Sequence, residues 1–248
     1  MKIIIIAAGY GSRLGNLTKT TPKGLLEING KSILQRQIDL FHKKKISEIN
    51  IITGPHKKFG LSNISYINDK NYEEHDVLGS LMAAKNILYG KVITSYSDIL
   101  FEEKILEQLL NFKGDIGIPI DLDWEKNYEG RTQHPKAEAD NVLLRNNQII
   151  EIKKNITSKQ HGDIIGEFLG PMVLSEYGSE IFVKHYEKLE KLIHGNFHNA
   201  PSLKKAYLTD MIQELITKNI HIDPIIINGN WCEIDTPQDL IRAKKLFN

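Results

Sequence analysis

The run Ala7-Ala8-Gly9-Tyr10-Gly11-Ser12-Arg13-Leu14, followed by Leu17-Thr18 and Pro22-Lys23, places two glycines and two cations just after an apolar stretch, Ile3 to Ile6. Glycine lets backbone amides approach an anion with no Cβ in the way. Arg13 offers a flat fork of donors and Lys23 a point charge. A strand that ends in such a loop can wrap a nucleoside triphosphate in amides and neutralise its phosphates. Ala7, Ala8, Gly9, Gly11, Ser12, Arg13 and Lys23 are therefore the expected nucleotide contacts.

Two other phosphate loops fit less well. A dinucleotide-binding loop reads G-x-G-x-x-G, but here the third glycine, Gly15, comes one residue late, and no acidic residue closes a second strand at the expected distance. The G-x-x-x-x-G-K-[ST] run of a P-loop does not occur. The joint pattern of strand, Gly-x-Gly-Ser-Arg-Leu, Leu-Thr and Pro-Lys resembles the signature of the nucleoside-triphosphate nucleotidyltransferases that activate sugar phosphates and choline phosphate. The resemblance runs from the glycine loop to the last helix and is most specific at the two ends. It implies a Rossmann-like, doubly wound α/β fold with a mostly parallel, mixed sheet and a small β-hairpin lobe.

Nucleotidyl transfer needs few catalytic groups. An acceptor phosphate attacks the α-phosphorus and pyrophosphate leaves. With a second pKa near ~6, a phosphate monoester is already an oxyanion at neutral pH and needs no general base. Positioning and charge neutralisation then dominate, which calls for cations and for a metal held by carboxylates. Mg²⁺ suits this, taking one or two protein carboxylates and filling its other positions with phosphate oxygens and water. Asp98 ends the strand that starts at Val92, at the carboxyl edge where ligands of doubly wound folds bind. Asp235 lies in Trp231-Cys232-Glu233-Ile234-Asp235-Thr236-Pro237, just before the final helix. Each also has a plainer reading, Asp98 as a capping or loop aspartate and Asp235 as a neighbour of the Thr236 cap. The resemblance implies that they are the paired metal aspartates. It also implies that Lys23 contacts the α-phosphate region and that Arg13 holds the leaving pyrophosphate, so these two are the expected catalytic cations.

The stretch Asn71 to Leu81 is similar to the family segment that packs against the pyrimidine, with Asp76, Gly79 and Ser80 as its expected contacts. Many choline-phosphate members have Thr-Asn where this chain has His75-Asp76. Asp76 could accept from the exocyclic amine of cytosine, which uracil lacks, or simply cap the following helix. From Trp124 to Asp140 the chain mixes aromatics, cations and carboxylates, and this loop looks like the one in cytidylyltransferases acting on small phosphorylated or phosphonylated amines. Arg131 is expected on the acceptor phosphate, with Trp124 or Tyr128 facing an ammonium group and His134 in the same loop. Lys153 or Lys154 matches a family lysine on the acceptor phosphate. Glu167 and Asp210 could pair with an acceptor amine. A lid held by surface salt bridges is the plainer reading of the loop.

The expected partners are thus CTP and a small phosphorylated acceptor such as choline phosphate, 2-aminoethylphosphonate or phosphoglutamine, with the product feeding surface-polysaccharide or lipid decoration. A sugar-1-phosphate uridylyl- or thymidylyltransferase would share the same loop and aspartates. A silent nucleotide-binding regulator is the alternative of another class, although Arg13, Lys23, Asp98 and Asp235 are all present.

Composition narrows the field further. The 248 residues carry Lys+Arg 32 against Asp+Glu 31, so no net field favours a nucleic acid. A single cysteine, Cys232, leaves no internal disulfide and suits a reducing cytoplasm. No apolar run has the length of a membrane span, and the first residues are too short an apolar run for a signal peptide. His42, His56, His161, His185, His194, His198 and His221 lack metal-ligand spacing and read as surface or packing residues.

One domain over residues 1–248, with 121–174 as an acceptor loop and β lobe, must position these groups. Strands are expected at 2–7, 48–53, 64–68, 91–96 and 116–120, with helices at 31–44, 78–88 and 102–112 between them. A hairpin follows, turning at Asn146-Asn147. Beyond it are expected a strand at 166–174, helices near 179–192 and 202–217, a strand at 222–227 and a last helix from Pro237, with Thr236 as N-cap and Asp239 at its third position.

Overall fold

The computed structural model describes residues 1–55, 59–158 and 160–247, so His56 lies outside the described residues. Ten strands form one mixed sheet: Lys2–Ala7 (β1), Ile49–Thr53 (β2), Ser65–Asn68 (β3), Val92–Tyr96 (β4), Ile116–Asp121 (β5), Asp140–Arg145 (β6), Gln148–Lys154 (β7), Ile164–Phe168 (β8), Met172–Leu174 (β9) and Asp223–Ile226 (β10). Their order is β7-β6-β8-β5-β9-β4-β1-β2-β3, with β10 added parallel to β5. The β4-β1-β2-β3 half is parallel, and antiparallel pairing enters through β9, β8 and the β6–β7 hairpin. The helices are Ile33–Lys43 (α1), Val77–Ala83 (α2), Glu103–Asn111 (α3), Glu176–Leu192 (α4), Leu208–Thr217 (α5) and Pro237–Leu246 (α6).

The four isoleucines of β1 explain the layering. Successive strand residues face opposite sides of a sheet, and a central parallel strand covered on both faces reads as an unbroken apolar run. Ile3 and Ile5 pack with Leu34, Ile38 and Phe41 of α1 and Ile105, Leu106 and Leu109 of α3. Ile4 and Ile6 pack on the other face with Leu78 and Leu81 of α2, Phe182 of α4 and Met211 of α5. The sheet is doubly wound, and β1 carries the glycine loop out of its centre.

Local chemistry sets the element ends. Ser32 accepts from Gln35 N to start α1. Thr236 and Asp239 cap α6 reciprocally, with Pro237 in the first turn. Asn146 and Asn147 both take positive φ, 50° and 60°, as the hairpin turn requires. The expected strand 166–174 is instead broken into β8 and β9 at Gly170. Its φ is 102°, and a Cβ there would run into the Tyr96 ring. α5 begins at Leu208 rather than near residue 202, because Ser202 caps a separate short turn, Leu203–Lys205. Two short antiparallel pairs differ from the expected elements: Glu27–Ile28 with Lys31–Ser32, which takes the first two residues of the expected helix 31–44, and Ile99–Phe101 with Trp231–Glu233. No helix among the described residues is long and apolar enough to cross a membrane.

Candidate active site

Asp98 and Asp235 are brought together by the second of those short pairs. Ile99–Phe101 leaves the turn after β4, Trp231–Glu233 pairs with it, and Ile234 N donates to Asp98 O at 3.0 Å. Gln37 of α1, fully buried, fixes the same turn by donating to the carbonyls of Tyr96 and Ile99 at 2.8 and 2.7 Å. Lys23 stands between the aspartates, its Nζ donating to Asp98 Oδ2 at 2.6 Å and Asp235 Oδ1 at 2.5 Å. Arg13 Nη2 lies 2.9 Å from the same Asp235 oxygen, with most of its own side chain exposed. The four residues meet at the carboxyl end of β1 and β4.

Electrostatics follows from that geometry. Burial works against the charge on Lys23, but the fields of Asp98 and Asp235 outweigh it and hold its pKa above the ordinary lysine range. Burial likewise opposes ionisation of Asp235, yet the His134 ring, Lys23 and Arg13 hold its carboxyl well below the usual carboxylate range. Glu233 behaves oppositely: burial, then the charges of Asp235 and Asp98, push its carboxyl well above the usual value.

The glycine loop is anchored at its far end and open at its near end. Leu14 is buried beside Leu26, Ile33 and Ile234, and Thr18 Oγ1 donates to Gly11 O at 2.7 Å. Gly11 has φ 65°, and a Cβ on it would press on Thr18 and Lys23. A Cβ on Gly9 would meet nothing, so that face is clear for a ligand. Ala8 is buried, Ala7 half-buried and Ser12 exposed. Tyr10 reaches across to donate to Glu73 Oε1 at 3.3 Å and stacks edge-on with Tyr72 at 5.6 Å.

In the segment from Asn71 to Leu81, Asp76 occupies the N-cap position of α2 but makes no cap hydrogen bond with its side chain, and burial raises its pKa. Gly79 packs against the Lys204 carbonyl with no room for a Cβ. Ser80 is buried and donates to Asp69 Oδ2, which also meets His75 Nδ1 at 2.9 Å.

The loop from Trp124 to Asp140 is not a surface lid. Trp124, Tyr128, Arg131 and His134 are all buried. Trp124 Nε1 donates to Ile165 O at 3.0 Å, and Tyr128 Oη donates to Glu167 Oε1. Arg131 Nε donates to Asp239 Oδ1 at 2.8 Å, while Asp239 Oδ2 accepts from Asp235 N and from Thr236 N and Oγ1. Through Asp239, therefore, the N-terminus of α6 ties the Trp124–Asp140 loop to the Asp235 segment. Gln238 adds three contacts by accepting from Thr132 N and Gln133 N and donating to Gly130 O. The aromatic faces are taken by the chain's own cations: Arg131 sits 4.8 Å over Tyr128 and Lys136 sits 5.0 Å over Trp124. Lys153 pairs with Glu151 and Lys154 with Glu138, both half-exposed. Asp210 caps α5 by accepting from Tyr207 N, close enough to Asp140 to help burial raise that carboxyl to about 6.

Two site features escaped the sequence reading. Glu233 joins His134 and Asp235 in a group whose ligand atoms lie within 4.8 Å of one another. Its alternation with Asp235 along one extended strand end was the available signal. Asp98 Oδ1 is buried without a partner. An oxygen-rich donor set with an orphaned carboxylate oxygen fits a hard divalent cation.

Residues 3–122 match the model of the MobA-like NTP transferase domain. The chain is 29% identical over 255 residues to the CTP:phosphoglutamine cytidylyltransferase of Campylobacter jejuni, covering 97% of this chain and 98% of that one. It is 33% identical over 117 residues to the choline-phosphate cytidylyltransferase of Streptococcus pneumoniae, covering 44% of this chain and 50% of that one. It spans about half the length of the bifunctional relatives it also matches. The solved CTP:phosphocholine cytidylyltransferase of S. pneumoniae superposes with a TM-score of 0.72 at 20% identity, over 100% of this chain and 99% of that one, a likeness of fold. Glycine loop, doubly wound sheet and matched segment converge: the chain is a nucleotidyltransferase whose residues 3–122 are similar to the MobA-like NTP transferase domain.

Proposed function

We propose that the chain transfers a cytidylyl group from CTP to a small phosphorylated or phosphonylated amine or amino acid and releases pyrophosphate. The observation that carries this reading is Lys23, fixed between Asp98 and Asp235 with Arg13 on the same carboxylate, directly below an open glycine loop. An acceptor phosphate oxygen forms a bond to the α-phosphorus as the bond to the β-phosphate oxygen breaks, and the electron pair leaves with pyrophosphate. Asp98 and Asp235, with Glu233 beside them, would hold a divalent cation such as Mg²⁺, whose charge offsets that developing on the α-phosphate. Lys23 and Arg13 exchange carboxylate partners for phosphates, Arg13 toward the leaving group because it is the more exposed. Glycine-loop amides orient the triphosphate, and the loop around Arg131 and His134 places the acceptor opposite. The names of the curated cytidylyltransferases support CTP as donor. The reading extends to one domain working in the cytoplasm on a precursor of surface-polysaccharide or lipid decoration.

Continuous pyrophosphate release with CTP, Mg²⁺ and phosphorylated amines tests it. Asp98→Ala and Lys23→Met are expected to lose about 10²-fold or more in kcat, the scale of a lost transition-state charge contact. An Asp98→Ala enzyme at the wild-type rate would remove that aspartate from the metal set.

A further inference from the structure

β6, β8 and β5 lie side by side, and their register sets Asn141, Glu167 and Asp121 in one row across the sheet. Such a polar row sits among buried apolar neighbours, Val142, Phe168 and Ile120. Asp121 is fully engaged, accepting from Trp231 Nε1, Asn127 Nδ2 and Asp123 N. The other two are not. Asn141 is 3% exposed and Glu167 4%, yet Asn141 Nδ2 and Glu167 Oε2 have no hydrogen-bond partner. Arg131 Nη2 is a third orphan, on a side chain that is also more than nine-tenths buried and that rides over the Tyr128 ring bonded to Glu167. Each buried orphan costs on the order of 1–3 kcal/mol, and native interiors tolerate few of them. Three on neighbouring side chains mark a place built for a polar guest.

The donor and acceptor inventory describes that guest. Two nitrogens, one of them a guanidinium, offer N–H; one carboxylate oxygen awaits a donor. A quaternary ammonium has no N–H to give Glu167 and no oxygen to take from Asn141 or Arg131. It is held instead by open aromatic faces, and here Trp124 and Tyr128 are already covered by Lys136 and Arg131. A primary ammonium and a carboxylate on one carbon satisfy all three orphans and add no net charge.

We infer that Glu167, Asn141 and Arg131 form the seat for the non-phosphate end of the acceptor, and that this end is an α-amino-acid head, its ammonium on Glu167 and its carboxylate on Asn141 and Arg131. The inference rests on the reading of a phosphorylated small-molecule acceptor. It moves Arg131 from the acceptor phosphate, where the resemblance placed it, to the opposite end of that molecule. Burial lifts the Glu167 carboxyl to about 8, and an ammonium against Oε2 supplies the missing counter-charge.

Three commercially simple ligands isolate the seat. O-phospho-L-serine becomes phosphoethanolamine on losing its carboxylate, and phosphocholine on further losing its N–H groups. Their binding is measured by calorimetry to the full chain with Mg²⁺ and the non-reacting α,β-methylene analogue of CTP. Affinity is expected to fall at least tenfold from phosphoserine to phosphoethanolamine and again to phosphocholine. Glu167→Gln should erase the second step, and Asn141→Leu should weaken phosphoserine at least tenfold while leaving phosphocholine as it was. Equal or tighter binding of phosphocholine, or an unchanged ligand order in Glu167→Gln, overturns the seat. If one variant fails to fold, the wild-type series and the other variant still decide. Because binding is read without turnover, loss of CTP transfer with every acceptor would sink the functional reading separately from the seat.

Discussion

Lys23 is the residue on which the site turns. Its ammonium is the shared counter-ion of two carboxylates, and removing one member of a buried ion cluster costs on the order of 3–5 kcal/mol. Lys23→Met is therefore expected to lower the melting temperature by about 6 °C or more without divalent metal. Mg²⁺ should then stabilise the variant more than it stabilises the wild type, because it takes up the charge left on Asp98 and Asp235. Differential scanning fluorimetry with and without Mg²⁺ reads both effects, and an Mg²⁺ shift that is larger in the wild type would contradict a shared cation place. Glu167 gives a prediction of the opposite kind. Its carboxyl is raised by burial to about 8 from an ordinary value near 4.5. Between those values the unfolded chain has lost its proton and the folded chain keeps it, so stability falls as pH rises through the window and stays reduced above pH 8. Glu167→Gln, which cannot ionise, should gain melting temperature over the wild type at pH 9 and little at pH 4.5.

At the scale of elements, α6 is a clasp rather than a terminal ornament. Asp239 serves the helix cap, the Asp235 backbone and the Arg131 guanidinium at once. Asp239→Ala is expected to cost on the order of 4 kcal/mol, combining a lost cap with a stranded buried cation. Adding Arg131→Met should recover part of that loss, and chemical denaturation of both variants measures the coupling. The cap itself was legible: Thr236, Pro237 and Asp239 announce a helix start in any context. The second job of Asp239 was not, because no local pattern reveals a partner brought from a distant loop. The same limit explains Ile99–Phe101 and Trp231–Glu233. Strands this short carry too few residues for periodicity, yet their pairing sets Asp98 beside Asp235.

Across the whole molecule, the sheet order joins a parallel part, β4-β1-β2-β3, to an antiparallel part through the β4–β9 pair. Alternating apolar segments made the parallel half readable, since both faces of β1 are covered and its four isoleucines leave no ambiguity. The break at Gly170 was hidden, because it is set by the Tyr96 ring of a neighbouring strand. Chemistry-bearing residues far apart in the chain, Arg13, Lys23, Asp98 and Asp235, do converge. The loop from Trp124 to Asp140 reads differently in three dimensions, its aromatics and Arg131 buried against the rest of the chain. The proposed reaction is transfer of a cytidylyl group from CTP to a phosphorylated amine or amino acid. Its most direct test is a pyrophosphate-release matrix of four nucleoside triphosphates against phosphorylated amines, phosphorylated amino acids and hexose 1-phosphates, with products identified by mass spectrometry. The account predicts turnover that requires Mg²⁺, favours CTP and yields a CDP-linked amino compound. Preference for UTP or dTTP with a hexose 1-phosphate would contradict it.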